Sequence, residues 1–562
     1  MNLQFRVLSG VIVVVIIFIA SYNFIAHTDE TSALREIDRL FSAVDNDATP
    51  GAAVAVLKDG EIFYSRGYGM ANLEYDIPIT TNTIFHVASV SKQFTAFAIT
   101  TLAYQGKLSF NDDVRKYVPE VPDFGETITI RHLIHHTSGL RDQWELLAMA
   151  GWRLDDVITK EHILKMLEHQ QDLNFKPGEE YLYSNMGYTI LAEIVERVSG
   201  QSLKDWTNEH IFEPLGMDDT HFHDDHRHIV PGRAYSYQPT SNDGFQKSVL
   251  NYANVGATSL FTTVEDLAKW LKNFDSIKVG NERIVSQMHR QGRLNSGEQI
   301  NYAYALQVNE YRGARTIGHS GADAGYRSFV GRFPQHDFSV IVLSNLSTMS
   351  PQRIAYKIAD IVLGDNLKSI ERHIEPKERT RGEIDLSVID SYTGNYRMER
   401  GIIISLSRED DRLFMQSPGI SKVELIPESE EKFFSNDMDI EVTFETDQTG
   451  EADHILVNRG GNTVMAVRID GNVPSTEQLR QYTGNYYSEE LGTFYTINLQ
   501  DDELIAAHRR HSNVELTPII NNRFSGNRWW FRTIEFVKDR SDRIEGFYLS
   551  GGRVRNIWFE KR

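Results

Sequence analysis

An identical pentapeptide occurs twice in the last third of the chain, and this repeat limits the possible folds more than any other feature. Tyr392-Thr393-Gly394-Asn395-Tyr396 recurs as Tyr482-Thr483-Gly484-Asn485-Tyr486. Each copy opens a segment of roughly 80 to 90 residues in which short alternating stretches are separated by turn residues, a pattern typical of antiparallel strands. The sequence therefore predicts two small antiparallel β-barrels of lipocalin-like type, residues 386–471 and 472–562.

The opposite end of the chain carries an apolar run. Arg6 precedes an uncharged stretch from Val7 to Thr28, and Asp29-Glu30 follows it. A run of roughly 20 apolar residues spans a bilayer, and its positive flank places the following chain outside the cytoplasm. We expect residues 1–28 to be a single-pass membrane anchor, or alternatively a cleaved signal peptide that yields a secreted or periplasmic protein.

Charge and cysteine content exclude several classes of function. The net charge is -20, with 58 Lys and Arg against 78 Asp and Glu, and no basic stripe is present. This balance argues against a nucleic-acid partner. The chain has no cysteine, which excludes disulfides, thiol catalysis, lipoprotein anchoring and cysteine-zinc sites.

Three short motifs carry residues suited to acyl transfer. In Ser89-Val90-Ser91-Lys92 the lysine lies three residues after a serine, so on a helix the two side chains share a face. A serine hydroxyl needs such a neighbour to remove its proton. Tyr183-Ser184-Asn185 presents a phenol and an amide, and His319-Ser320-Gly321 presents an imidazole beside an unhindered backbone.

In this order the three motifs resemble those of penicillin-recognising serine hydrolases, a group that includes class C β-lactamases, D-alanyl-D-alanine carboxypeptidases, D-aminopeptidases and esterases. Flanking segments such as His135-His136-Thr137-Ser138-Gly139-Leu140 also fit, and the resemblance covers roughly residues 32 to 365. It implies an α+β domain, an antiparallel sheet flanked by helices, over residues 29–365. A charged linker, residues 366–385, then leads to the barrels.

The resemblance also implies roles for individual residues. Ser89 would be the nucleophile, with Lys92 and Tyr183 moving its proton. The substrate would be bound by Asn185, His319, Ser320, Gly321 and Ala322, with the backbone N–H groups of Ser89 and Ala322 stabilising the oxyanion. No metal and no cofactor is implied. The expected function is an exported hydrolase that cleaves an amide or ester in a small molecule or peptide through an acyl-serine intermediate.

One departure from the group bears on the substrate. The third motif of β-lactamases and carboxypeptidases usually begins with a lysine that holds the substrate carboxylate, whereas this chain has His319. A neutral histidine supplies no fixed charge. Strong β-lactamase activity is therefore not expected. Three alternatives stay open: a weak β-lactamase, a non-catalytic sensor of penicillins or peptidoglycan fragments, and a protein whose barrels bind an apolar ligand or partner.

Several other features have mainly structural interpretations. We expect His132, His135 and His136 to serve as caps and core hydrogen bonds beneath the site, and the histidine-rich segment 221–228 to be a surface loop rather than a metal site. Trp144 and Trp152 fit a substrate lid and core packing equally well. Segment 488–491 could reach the active site and bind a substrate amine. The oligomeric state is left open.

Overall fold

The computed structural model describes residues 31–368, 381–382, 384–398, 403–417, 420–435, 438, 440–446, 452–459, 462–469 and 474–562. The expected anchor or signal peptide, residues 1–28, and most of the expected linker lie outside these ranges, so both stay predictions. Among the described residues, no helix combines the length and the apolar character needed to cross a membrane. The described chain divides into two compact units.

The first unit contains residues 31–139, 154–164 and 175–368 and is built on one antiparallel sheet. In spatial order its six strands are Gln307–Tyr311, Ala314–Asp323, Tyr326–Phe333, Phe338–Ser344, Ala52–Lys58 and Glu61–Tyr68. The first strand in the chain therefore pairs with the last, with Ala52 opposite Ser344. Strands from both ends of the unit thus share one open sheet, with the helical middle between them in sequence, which confirms the expected α+β architecture.

Helices and short strands surround the sheet. The helices are Lys92–Tyr104, Ile130–Ile134, Lys160–Glu168, Asn185–Ser199, Leu203–Thr207, Glu213–Leu215, Val264–Lys272, Glu282–Met288 and Pro351–Leu363, with single turns at Ala88–Ser91, Val114–Lys116, Asn208–Phe212, Pro334–His336 and Gly364–Asn366. Residues 165–168 of helix Lys160–Glu168 are assigned to the second unit. The short strands are Met70–Asn72, Ile77–Pro78, Phe85–His86, Ile158–Thr159, His221–Phe222, Tyr237–Pro239, Phe245–Lys247, Tyr252–Ala253 and Leu260–Thr262.

The strands expected from sequence lie close to those observed, except at the start of one edge strand. The hairpin across Lys58-Asp59-Gly60 is present, with Leu57 paired to Ile62. The edge strand expected at 303–308 begins only at Gln307. Ala305 has a φ of 57°, a left-handed conformation that an extended strand does not tolerate, and this interrupts the run.

The second unit contains two closed barrels, each of eight antiparallel strands in sequence order. The first has strands Gly394–Met398, Ile403–Glu409, Arg412–Ser417, Ile420–Pro427, Lys432–Ser435, Ile440–Thr446, Ala452–Arg459 and Asn462–Ile469, after helix Leu386–Tyr392. The second has strands Gly484–Ser488, Thr493–Gln500, Glu503–His508, His511–Ile520, Arg523–Arg528, Phe531–Lys538, Ile544–Ser550 and Ile557–Lys561, after helices Thr476–Leu479 and Arg480–Tyr482.

The repeated pentapeptide has the same conformation and the same hydrogen bond at the start of both barrels. The hydroxyl of Tyr396 donates to the carbonyl of Tyr392 at 2.9 Å, and that of Tyr486 donates to the carbonyl of Tyr482 at 2.7 Å. The intervening glycine has a φ of 144° in each copy, a conformation that residues with a Cβ rarely adopt. The repeat therefore encodes the turn that begins each barrel. Closed eight-stranded barrels are confirmed, while a lipocalin-like ligand cavity stays a prediction.

Two segments that precede the barrels in sequence belong to the second unit as well, residues 140–153 and 165–174. Helix Gln143–Met149 lies in the first of them. The guanidinium of Arg141 pairs with the carboxylate of Glu490 at 2.5 Å, with both side chains almost fully buried. The carboxylate of Glu145 accepts the backbone N–H groups of Gly552 at 3.1 Å and Arg553 at 2.7 Å. These buried polar contacts hold the segment against the second barrel.

Candidate active site

The turn that carries Ser89 is strained and firmly supported. Ser89 lies in the single turn Ala88–Ser91, immediately before helix Lys92–Tyr104, and it is the partly exposed residue of that turn. Ala88 has a φ of 48°, a region that costs energy for any residue with a Cβ. The hydroxyl of Ser91 donates to the carbonyl of Ala88 at 2.5 Å and accepts the N–H of Leu260 at 3.0 Å. The surrounding structure therefore imposes this conformation on the turn.

Lys92 is fully buried beside that serine. Its Nζ lies 3.0 Å from Ser89 Oγ, 2.8 Å from Asn185 Oδ1 and 2.6 Å from the carbonyl oxygen of Ala257. The amide and carbonyl oxygens can only accept, so they take two N–H bonds of the amine. The third tetrahedral position of the nitrogen is then directed at Ser89 Oγ. An ammonium would donate there, and a neutral amine would accept the serine proton.

The second motif lies next to this amine. The ring of Tyr183 has its centroid 5.0 Å from Lys92 Nζ, and Asn185 begins helix Asn185–Ser199. The residue between them is held by a histidine, because the N–H of Ser184 donates to His136 Nδ1 at 3.1 Å. The His136 ring also packs against the Tyr183 ring, with centroids 4.1 Å apart and the planes tilted by 33°. His136 therefore fixes both the backbone and the ring of this motif.

The three histidines expected beneath the site have separate roles. The ring of His132 accepts the N–H of Thr129 and completes a capping box at the start of helix Ile130–Ile134. His135 Nδ1 lies 3.1 Å from the carbonyl of Arg131. The third, His136, contacts the Tyr183 motif directly, so its role reaches beyond the caps and core hydrogen bonds expected from sequence.

His319 is buried, with both ring nitrogens engaged. Nδ1 lies 2.6 Å from the carbonyl of Ser320 and must donate to it, so Nε2 carries the lone pair that accepts the Tyr302 hydroxyl at 3.0 Å. Burial, and to a lesser extent the positive charge of Lys92, lower the pKa of His319 to about 3. The imidazole is therefore neutral near pH 7 and supplies no positive charge to a substrate.

The strand Ala314–Asp323, which contains His319, passes close to the turn Ala88–Ser91, named the nucleophile turn after the role expected of Ser89. A Cβ on Gly321 would lie 2.3 Å from the carbonyl oxygen of Val87 and 2.3 Å from Ser328 Oγ. Ser328 also donates to the Val87 carbonyl at 2.8 Å. Only glycine allows this close approach of the strand to Val87 and Ala88. Ser320 faces elsewhere, since its hydroxyl donates to Gln352 at 3.1 Å.

A buried hydrogen-bond network next to the turn Ala88–Ser91 involves residues outside the three sequence motifs. His86 is fully buried, and its Nδ1 accepts the N–H of the strained Ala88 at 3.2 Å. Its Nε2 lies 3.2 Å from Thr258 Oγ1, and the Thr258 hydroxyl donates to the carboxylate of Asp323. Asp323 follows Ala322 in the chain, so this network joins the nucleophile turn to the end of the sheet strand.

The histidine-rich segment differs from the expected surface loop at its beginning. His221 and Phe222 form a short strand, and His223 is buried. Burial lowers the pKa of His221 and of His223 to about 4, with the neighbouring histidines adding to the effect. In the described part of the chain, no group of three or more His, Asp or Glu side chains is arranged to hold a metal ion.

The structure thus assembles six of the eight residues singled out in the sequence around one buried amine and one strained turn. The Ser320 side chain points away, and Ala322 follows Gly321 on the same strand. Sequence reasoning missed four contributors: Ala257, which acts through a backbone carbonyl, Tyr302, His86 and Thr258. Backbone acceptors and buried partners leave no residue-type signal. Only His86 stood near a motif, three residues before Ser89.

Comparison with known proteins agrees with this geometry. A family model described as Beta-lactamase matches residues 37–363, and one described as Domain of unknown function (DUF3471) matches residues 378–466. Over 446 residues the chain is 30% identical to Penicillin-binding protein 4* of Bacillus subtilis (strain 168), covering 76% of this chain and 97% of that protein. It is 26% identical to a D-aminopeptidase of Brucella anthropi, covering 82% and 83% respectively.

Among solved structures, the octameric penicillin-binding protein homologue from Pyrococcus abyssi superposes with a TM-score of 0.53 at 25% identity, covering 78% of this chain and 98% of that one. The Beta-lactamase match spans more than half of the chain and includes all three motifs. With those motifs gathered around Lys92, the conclusion is direct: this chain belongs to the β-lactamase family of serine hydrolases.

Proposed function

We propose that this protein hydrolyses an amide or ester bond through an acyl-Ser89 intermediate, with Lys92 and Tyr183 moving the protons. The observation that carries the proposal is the position of Lys92 Nζ, 3.0 Å from Ser89 Oγ, with two further contacts to oxygen acceptors. A buried amine oriented in this way is suited to accept the hydroxyl proton as the serine attacks.

The proposed reaction uses these groups in turn. Ser89 Oγ bonds to the carbonyl carbon while its proton passes to Lys92. The backbone N–H groups of Ser89 and Ala322 stabilise the oxyanion, a contribution worth roughly 100- to 1000-fold in rate for each donor. The Tyr183 hydroxyl gives a proton to the departing amine or alcohol and regains one from Lys92. Water then attacks the acyl carbonyl carbon and gives a proton to Tyr183 and Lys92. The bond to Ser89 Oγ breaks, Ser89 regains a proton from them, and the acid leaves.

The surroundings of His319 support a restricted choice of substrate. Its imidazole is neutral and both nitrogens are already bonded to protein atoms, so a substrate carboxylate finds no charged partner there. Substrates without a carboxylate near the scissile bond fit this site better than penicillins do. D-amino-acid amides and simple esters are the first classes to test, and the similarity to a D-aminopeptidase supports the former.

The test is a panel of chromogenic substrates: p-nitrophenyl acetate, D-alanine p-nitroanilide and nitrocefin. We expect turnover of the ester or the D-amino-acid anilide and little turnover of nitrocefin. Lys92→Met should lower kcat by at least about 100-fold, as expected for loss of a positioned general base. Lys160→Met is the matched control, because Lys160 is half-buried but bonded to Glu193 and Glu196, outside the motifs.

Two results would contradict the proposal. Equal activity of Lys92→Met and the wild-type protein would exclude Lys92 as the base. Stable acylation of Ser89 without turnover of any substrate in the panel would favour the sensor instead.

The barrels and the N-terminal segment have proposed roles of their own. We propose that the barrels adjust substrate access rather than carry the chemistry, since none of the three motifs lies in them. Glu490 is an unsuitable partner for a substrate amine, because Arg141 already neutralises it. We also propose that residues 1–28 attach the protein to the membrane with the hydrolase outside the cytoplasm. Recovery of full-length protein in the cytosolic fraction would contradict that location.

A further inference from the structure

A cavity lies in the first unit, lined by none of the residues of the site around Ser89. Its volume is about 610 Å³, within the usual range for small-molecule sites. Its wall is formed by the loop His226–Arg233 on one side and by residues around Ile77 and Asn82 on the other. None of the eight motif residues lines it. The cavity is therefore separate from the site around Ser89.

The cavity wall is unusually poor in negative charge. The chain carries 78 Asp and Glu residues, yet the described lining includes none of them, while it does include Arg233, His226 and His228. In a protein of net charge -20, this concave surface therefore carries the fixed positive charge of Arg233 and no carboxylate. Such a surface favours an anionic occupant.

Arg233 is the centre of this charge. Its guanidinium is half-buried over two aromatic rings, 5.6 Å from the Phe261 centroid and 5.8 Å from that of Tyr235. Within the described residues its side chain has no ion pair and no hydrogen bond. The aromatic rings flank the guanidinium and leave its N–H donors unused. A planar fork of this kind matches the two oxygens of a carboxylate or a phosphate.

The rest of the wall indicates the body of the ligand. Ile77 and Ile229 are apolar yet 49% and 83% exposed, and both line the cavity together with Pro78 and Val230. Exposed aliphatic side chains around a cavity gain most from an apolar ligand group that covers them. The observed lining thus offers one cationic fork and one apolar wall.

From these features we infer that the cavity binds a small organic anion, a carboxylate or phosphate monoester with a compact apolar group, through Arg233. The wall is also joined to the nucleophile turn. The N–H of Ile84 donates to the carbonyl of Gly232 at 3.1 Å, and the N–H of Ala234 donates to the carbonyl of Ile84 at 3.0 Å. Ile84 is two residues before His86, which holds the turn of Ser89.

The test measures binding to the full-length protein carrying Ser89→Ala, so that acylation cannot contribute. Benzoate and phenyl phosphate are titrated by calorimetry, with benzyl alcohol as the uncharged probe. Arg233→Met should weaken the binding of both anions by about tenfold or more, the usual cost of losing a charged hydrogen-bond partner. Arg227→Met is the matched control, because Arg227 is on the same loop but is exposed and paired with Asp225.

A second measurement keeps the inference testable if Arg233→Met does not fold. Methyl NMR of the Ser89→Ala protein should reveal saturable shifts at Ile77 and Ile229 on adding benzoate, with no comparable shift at Ile354, which packs against the core. Binding of either anion, or of both, through Arg233 supports the inference, and the ratio of their affinities identifies the preferred head group. Equal affinity for benzyl alcohol, equal losses in Arg227→Met and Arg233→Met, or no saturable shift at the two methyls would overturn it.

Discussion

Gly321→Ala tests how the sheet strand positions the reacting groups. The added Cβ would lie 2.3 Å from the Val87 carbonyl oxygen and from Ser328 Oγ. Ordinary contact begins at 3.4 Å, so the strand and the nucleophile turn must separate by about 1 Å. Gly321 itself is not in the left-handed region, so the substitution acts through this contact and not through backbone strain.

The expected effect follows from that displacement. A misplacement of about 1 Å between reacting groups costs roughly 100-fold in rate. The residue next in the chain is Ala322, whose N–H is the proposed oxyanion donor, and loss of such a donor costs roughly 100- to 1000-fold. We therefore expect the second-order rate of labelling by a fluorophosphonate to fall by about 100-fold, or about 2.7 kcal/mol of transition-state stabilisation.

Labelling by a fluorophosphonate is the suitable assay, because it does not depend on knowing the substrate. Gly244→Ala is the matched control, since a Cβ there meets its nearest neighbour, Thr240 Oγ1, at an ordinary 3.4 Å. Its labelling rate should stay within about twofold of the wild-type rate. If Gly321→Ala folds with a normal thermal transition and reacts within about threefold of the wild-type rate, the argument from strand position is refuted.

Three further predictions follow from the site. His136→Ala should lower kcat by about tenfold or more with little change in KM, because it releases the backbone and ring of Tyr183; a loss of thermal stability alone, with kcat unchanged, would exclude this positioning role. His319→Lys should raise kcat/KM for nitrocefin relative to p-nitrophenyl acetate by supplying a cation, and an unchanged ratio measured on both substrates would contradict it. Acid should destabilise the first unit, because burial lowers the pKa of His86 and His319 to about 3 and that of His135 to about 4. Below the unfolded pKa near 6.5 the unfolded chain binds protons preferentially, so the free energy of unfolding should fall by about 1.4 kcal/mol per pH unit for each histidine as the pH drops from about 6.5. A melting temperature that does not change between about pH 7 and pH 4 would contradict this prediction.

The fold followed from sequence wherever a local pattern is repeated or periodic. The repeated Tyr-Thr-Gly-Asn-Tyr predicted two barrels. The prediction succeeded because this pentapeptide forms the same tyrosine hydrogen bond and the same glycine conformation at the start of each barrel. Alternation predicted most sheet strands, but not the late start at Gln307, since a left-handed alanine has no signature in residue type. The assignment of residues 140–153 to the second unit was equally hidden, because it depends on long-range contacts such as Arg141 with Glu490.

The site followed from sequence only in part, for a related physical reason. Side chains able to carry the proposed chemistry are restricted in type, so Ser89, Lys92 and Tyr183 were recognisable from their motifs. Groups that orient them are not restricted in this way. Ala257 contributes a carbonyl oxygen that any residue could supply, and His86 contributes one lone pair to a backbone N–H. The engaged nitrogens of His319 likewise became visible only when Tyr302 was placed beside it.

The most direct test of the account is intact-mass analysis after reaction with a fluorophosphonate, followed by peptide mapping. The account predicts one adduct per chain on the peptide that contains Ser89, and neither an adduct nor hydrolytic activity in Ser89→Ala. Tyr183→Phe should still be labelled, more slowly, because Lys92 stays 3.0 Å from the serine oxygen. An adduct on another residue, or hydrolysis that persists in a folded Ser89→Ala protein, would contradict the central claim.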